Sequence, residues 1–161
     1  MPRLQREIVI DAPPEAVFAF LAQPERMPEW TPGVQSVKLT SAGPIGVGST
    51  TETIVEVMGV KQTLVGRCTT FEPPHRFVVE NATALGFSVG GVSVGRVQST
   101  STSELAPEGA GTRLHARLEY TVSAGFVTGL AESLIAPRMK ADFEQSIQTL
   151  KRLLEARPAA G

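Results

Sequence analysis

Arg6-Glu7-Ile8-Val9-Ile10-Asp11-Ala12-Pro13-Pro14-Glu15-Ala16-Val17-Phe18-Ala19-Phe20-Leu21 decides the fold, because a short strand at 6–10 hands over to an apolar helix at 16–21. Pro13 and Pro14 suit a first helical turn, where amide protons have no intrahelical partner. Glu15 stands where a carboxylate reaches back to those amides and complements the helix dipole. Pro24 restarts a second short helix, and Trp30 closes it beside Pro32-Gly33.

Beyond Trp30, short runs rich in Val, Ile, Thr and Phe alternate with Gly and Pro punctuation, the pattern of an antiparallel meander. Strands are expected near 34–40, 49–58, 61–72, 75–84, 93–106 and 111–122. Met58-Gly59-Val60-Lys61, Glu72-Pro73-Pro74-His75 and Pro107-Glu108-Gly109-Ala110-Gly111 read as turns. The last strand assigns its faces clearly: Leu114, Ala116, Leu118 and Tyr120 alternate with Arg113, His115, Arg117 and Glu119, so one face is dry and the other wet. Phe77, Val79 and Asn81 share that inward parity. For 61–72, Arg67 favours Leu64, Gly66, Cys68 and Thr70 as the inward set, while Val65 and Phe71 leave the assignment ambiguous.

From about Val127 to Arg157 the apolar period lengthens to near 3.6. Leu130, Leu134, Ile135, Met139 and Phe143 begin the stripe, and Ile147, Leu150, Leu153 and Leu154 continue it. This is a long amphipathic helix. Pro137 removes one of its backbone hydrogen bonds and is expected to kink it into two halves. We expect a single domain over 1–157 and a frayed tail at 158–161.

A chain of 161 residues buries about 70% of the surface its unfolded form exposes, enough to fold unaided. With 15 Lys+Arg against 16 Asp+Glu the net charge is −1, so no broad basic field invites nucleic acid. The hydrophobic fraction is 42% and the mean hydropathy +0.04, and no apolar run reaches the length of about 20 residues that spans a bilayer. Residues 1–6 lead into the first strand without the pattern of a secretory signal, so a cytoplasmic protein is expected. Cys68 is the only cysteine, and an inert buried thiol is favoured over a nucleophile.

The chain resembles the helix-grip superfamily, which includes START-related lipid-binding domains, the major birch pollen allergen group and bacterial polyketide cyclase/dehydrase-like proteins. The likeness runs from Ile8–Phe18 and Met27-Pro28-Glu29-Trp30 through Val47-Gly48-Ser49-Thr50 and Phe71-Glu72-Pro73-Pro74-His75-Arg76-Phe77. It continues with Gly111-Thr112-Arg113-Leu114 and ends at Leu150–Glu155, covering nearly the whole chain. The resemblance implies an α+β helix-grip fold, a curved seven-stranded antiparallel sheet wrapped around the C-terminal helix, with two short helices after the first strand. It also implies an internal cavity for an apolar small molecule. Gly66, Cys68, Thr70, Asn81 and Ala116 support this separately, being small or polar where a filled core favours Leu, Ile or Phe.

The sheet's expected ligand contacts are therefore Leu64, Gly66 and Cys68, then Phe77, Val79 and Asn81, then Ala116, Leu118 and Tyr120. Leu134, Met139 and Phe143 add the helix side, and Trp30 stands either at the cavity mouth or as a plug over the core. Arg138 and Asp142 are expected to form an exposed pair. Tyr120, Asn81 and His75 are the candidates for proton chemistry, although each also has a plain structural reading. We expect no metal and no cofactor, because neither histidine has a carboxylate or thiol cluster at ligand spacing. The glycine-rich stretches 43–48 and 86–95 lack the strand–loop–helix context of a phosphate cradle; the second is a candidate flap at the cavity opening.

Three readings of function follow. The leading one is binding of an apolar or amphipathic small molecule, lipid, isoprenoid or polyketide-like. The second is a polyketide cyclase/dehydratase-like enzyme using the same cavity, and the third is a protein-interaction module. Partners are then a small apolar ligand, no nucleic acid, no stable membrane insertion, and a homodimer as an open option.

Overall fold

A computed structural model describes residues 3–57, 59–84, 87–89, 92–125 and 128–156. Strand β1 (Arg3–Ile10) is followed by helix α1 (Pro14–Leu21), a 3-10 helix (Pro24–Glu29), β2 (Val34–Leu39), β3 (Thr50–Val57) and β4 (Val60–Glu72). Then come β5 (Arg76–Thr83), the short β6 (Phe87–Val89), β7 (Val92–Glu108), β8 (Gly111–Ser123) and the long helix α2 (Thr128–Glu155). Seven antiparallel strands follow the order β1-β8-β7-β5-β4-β3-β2, and β6 pairs only with β7. This is the helix-grip fold. The expected flap is a hairpin of β6 and the start of β7, with residues 85, 86, 90 and 91 outside the described ones, as is Met58 of the β3–β4 turn.

The first two strands occupy opposite edges of the sheet, so the stretch 11–33 must cross its open end. Pro13, extended at φ −66° and ψ 152°, is the residue before α1, and Glu15 lies in the first turn. No side chain caps this end: the amides of Ala16 and Val17 already donate to the Pro13 carbonyl at 3.0 and 3.1 Å. Glu15 is thus left with the helix dipole alone, not the reach-back hydrogen bond expected of it.

One register shift settles the ambiguity in β4. Between Cys68 and Thr70 the pairing with β5 slips by one residue, which inverts side-chain parity beyond that point. Gly66 and Cys68 are buried and face inward, whereas Val65 faces outward at 51% exposure. After the bulge Phe71 replaces Thr70 as the inward residue. Its ring meets Phe18 at 5.3 Å and Phe77 at 5.6 Å, both edge-on.

Helix α2 continues through Pro137 as one 28-residue helix. Its stripe begins at Ala131, fully buried, instead of Leu130, which is 56% exposed. The C-terminal end is tied to β1. Lys151 donates to the Val9 carbonyl at 2.7 Å and to Glu155 at 2.6 Å, and Glu155 accepts the Asp11 amide at 2.9 Å. Arg6 pairs with Glu144 about two turns back toward the start of the helix. No helix among the described residues is long and apolar enough to cross a membrane.

Candidate functional site

The apolar interior is divided in two. One cluster gathers Phe18, Phe20, Phe77, Leu114, Ile147 and Leu150 beneath α1 and the C-terminal half of α2. The other joins Tyr120, Val122, Ala131 and Ile135 beneath the N-terminal half. Phe143 borders the first cluster and Met139 the second. Between them, under the middle of α2, lies a cavity of about 350 Å³. Protein interiors normally close such space, so its persistence needs a cause in the residues around it.

Cross-strand rows of the sheet supply that cause. One row runs Thr51–Gly66–Asn81–Ser99–Tyr120 across β3, β4, β5, β7 and β8. The next sets Cys68, Val79, Ser101 and Leu118 side by side, and a third sets Phe77, Ser103 and Ala116. Ser99, Ser101 and Ser103 therefore put three of the shortest polar side chains on the inward face of the central strand β7. Ser101 is exposed although it sits mid-strand between Val79 and Leu118, because its solvent is the cavity.

Facing this floor are Ile135, Met139, Phe143 and Ile147 of α2, while Leu21, Met27 and Trp30 close the end under the short helices. Trp30 Nε1 and Thr31 Oγ1 are buried without a hydrogen-bonding partner among the described residues. The mouth lies between β2–β3 and α2. There Gly33, Val34, Glu56 and Arg138 line both the cavity and a shallow depression outside it. Gly33 has φ +81°, and a Cβ on it would fall 2.8 Å from the Glu56 carbonyl oxygen, so only glycine lets the two strands close this corner. Arg138 is held by Asp142 at 3.2 Å, the exposed pair read from the sequence, and Gln35 donates to Glu56 at 2.6 Å.

Of the positions picked from sequence, Trp30, Leu64, Cys68, Phe77, Val79 and Asn81 lie on the cavity wall. So do Ala116, Leu118, Met139 and Phe143. Gly66 does not reach the wall, since the side chains of Thr51 and Asn81 close over it. Tyr120, 2% exposed, is packed into the second cluster, with Leu134 against it, and neither lines the cavity. Thr70 is turned away by the bulge. His75 is exposed at the β4–β5 turn, where chain geometry holds it outside. The serine row and the mouth residues escaped the sequence reading. Counting back by twos from buried Leu105 would have found the serines; the mouth, built from distant segments, left no local signal.

Burial pushes the Cys68 thiol up, partly opposed by a hydrogen bond with the Thr70 backbone, so it is a protonated wall group at neutral pH and its S–H donates to the Thr70 carbonyl at 3.4 Å. Tyr120 is likewise raised, by burial first and by Glu132 second, which keeps it a neutral phenol. His115 lies on the outer face, 4.0 Å from Glu104. Among the described residues no three His, Cys, Asp or Glu side chains are grouped to hold a metal.

A curved sheet closed by one long helix over an interior cavity defines a helix-grip protein. The chain belongs to the polyketide cyclase/dehydrase and lipid transport family, whose sequence profile matches residues 1–155. No curated protein matches it. Among solved structures, the Zhui aromatase/cyclase of a Streptomyces species superposes with a TM-score of 0.78 at 15% identity, covering 99% of this chain and 98% of that one. TTHA0849 of Thermus thermophilus gives 0.74 at 20% identity, covering 96% and 98%. Ara h 8.0201 gives 0.67 at 11%, covering 97% and 99%. At such identities the likeness is one of fold.

Proposed function

We propose that this chain binds an apolar or amphipathic small molecule, such as a lipid, an isoprenoid or a polyketide-like compound, between the sheet and α2. The observation that carries the reading is the cavity of about 350 Å³ separating two packed clusters, with apolar side chains on its helix side. Affinity would come chiefly from burying ligand surface at about 25 cal/mol per Å², with a few polar groups fixing orientation. Native mass spectrometry before and after organic extraction, followed by titration with a neutral fluorescent probe, tests this. A removable adduct and saturable one-to-one probe binding are expected. Extracted protein that binds no apolar probe refutes it.

A second reading, a cyclase/dehydratase-like enzyme, draws on the family and on Asn81, the one candidate for chemistry that lies on the wall. A carboxamide does not titrate at neutral pH, so its part would be to hold a carbonyl or enol rather than to carry a proton. Turnover of a poly-β-ketone mimic should then fall in Asn81→Ala and survive His75→Ala. Turnover indifferent to Asn81 removes the role.

A further inference from the structure

We propose that Thr51 and Asn81, converging over Gly66 with Ser99 beside them, form a hydrogen-bonding subsite that takes a neutral hydroxyl-bearing ligand. The proposal rests on the cavity-binding reading above and says which end of the guest lies where. A Cβ built on Gly66 would lie 2.5 Å from both Asn81 Oδ1 and Thr51 Oγ1. The missing side chain is what lets two polar groups from β3 and β5 meet above β4. Ser99 stands directly across from Asn81 on β7.

Three other polar side chains on the wall are committed to the protein, whereas Trp30 and Thr31 at the closed end and the scattered Thr53, Gln62, Ser101 and Ser103 do not converge over a glycine as Thr51 and Asn81 do. Thr83 Oγ1 accepts the Val97 amide at 3.1 Å, Ser49 Oγ accepts the Gly46 amide at 2.9 Å, and Ser146 Oγ donates to the Asp142 carbonyl at 2.7 Å. Thr51, Asn81 and Ser99 make no side-chain hydrogen bond among the described residues. Their capacity faces the cavity unused. A bound apolar molecule would strip water from these groups and give nothing back, whereas a hydroxyl both donates and accepts and so suits either orientation of the carboxamide. The charged wall side chains Glu56, Arg138 and Asp142 are at the mouth, and Arg117 pairs on the outer face with Glu104 and Glu119 at 3.7 and 3.6 Å. A carboxylate reaching the subsite would therefore lose its hydration without a counter-charge.

Displacement of neutral N-phenylnaphthylamine by naphthalene, naphthol and naphthoate tests the subsite at near-constant ring size. Naphthol should bind at least about tenfold tighter than naphthalene, the equivalent of one hydrogen bond made rather than left unmade, and naphthoate should be the weakest. In Asn81→Leu and in Thr51→Val the naphthol preference should fall below about threefold, while naphthalene binds more tightly against the added apolar surface. Naphthalene binding in each variant also reports that the cavity has formed. A naphthol preference absent from the native protein, or intact in both variants, overturns the subsite and leaves the cavity reading standing. Failure of all three compounds to displace the probe, or of the probe to bind, overturns both.

Discussion

Replacing Ser101 with leucine separates an open cavity from a filled core by the sign of one measurement. Ser101 lies mid-strand on β7, flanked by Val79 and Leu118, and its side chain is bathed by the cavity. Burying a leucine side chain completely is worth about 1.5–3 kcal/mol. The cavity opens at Glu56 and Arg138, so roughly half of that, about 1 kcal/mol, is a fair expectation for Ser101→Leu. For a chain of this size the ligand-free protein should melt about 2–4 °C higher. A close-packed site would respond in the opposite direction, because forcing extra methylenes into it costs about 1–3 kcal/mol. The same leucine should weaken an apolar ligand about tenfold or more, since excluding ligand surface equal to two methylenes forfeits about 0.8 kcal/mol each. Differential scanning calorimetry of extracted protein and probe titration supply the two readings. A lower melting temperature together with unchanged probe affinity would refute the reasoning.

Cys68 offers a reporter from inside the wall. Its alkylation by a neutral maleimide should be slow at neutral pH, slower still with the probe bound, and should keep rising without a plateau to beyond about pH 9, because its pKa lies above the ordinary thiol value. Ligand-independent labelling at the rate of a free thiol would contradict this. At the far end of α2, the Lys151 hydrogen bond and then the Asp11 amide hold the Glu155 carboxyl below its usual range. A depressed folded-state pKa contributes stability above the unfolded value of about 4.3 and loses it as pH falls through the folded value. Glu155→Gln should therefore lower the melting temperature slightly at neutral pH, with the gap closing below about pH 4; the effect is small because the pair is solvent-screened. Melting curves that stay parallel across that range would count against the role of Glu155 in docking α2.

Much of the architecture was readable because each element repeats its instruction along several residues. Leu114 to Tyr120 alternate with charged or polar neighbours through four turns of the pleat, and that alternation located both faces of β8 before any contact was known. The α2 stripe was drawn from nine residues, so misplacing Leu130 did not disturb the assignment of the helix. Parity failed at β4 for a definite reason. A single unpaired residue at the bulge inverts every side chain beyond it, and nothing in Arg67-Cys68-Thr69-Thr70-Phe71 announces where the extra residue falls. Tyr120 shows the complementary limit. It has the inward parity of Leu118, yet α2 descends on it and not on Leu118, which leaves one packed and the other on the cavity wall.

The chain's periodicities and its proline and glycine punctuation determined by themselves that there would be a meander with one wet face, two short helices near the start and one amphipathic helix to close it. Those are local properties, fixed by the pleat and by 3.6 residues per turn. Where the helix touches the sheet, and where it leaves a gap between Met139 and Phe143, was decided only by tertiary structure. Sheet curvature, the β4 bulge and the pairing of Thr51 with Asn81 across Gly66 are sums over strands distant in sequence, and a cavity is the volume those sums fail to fill.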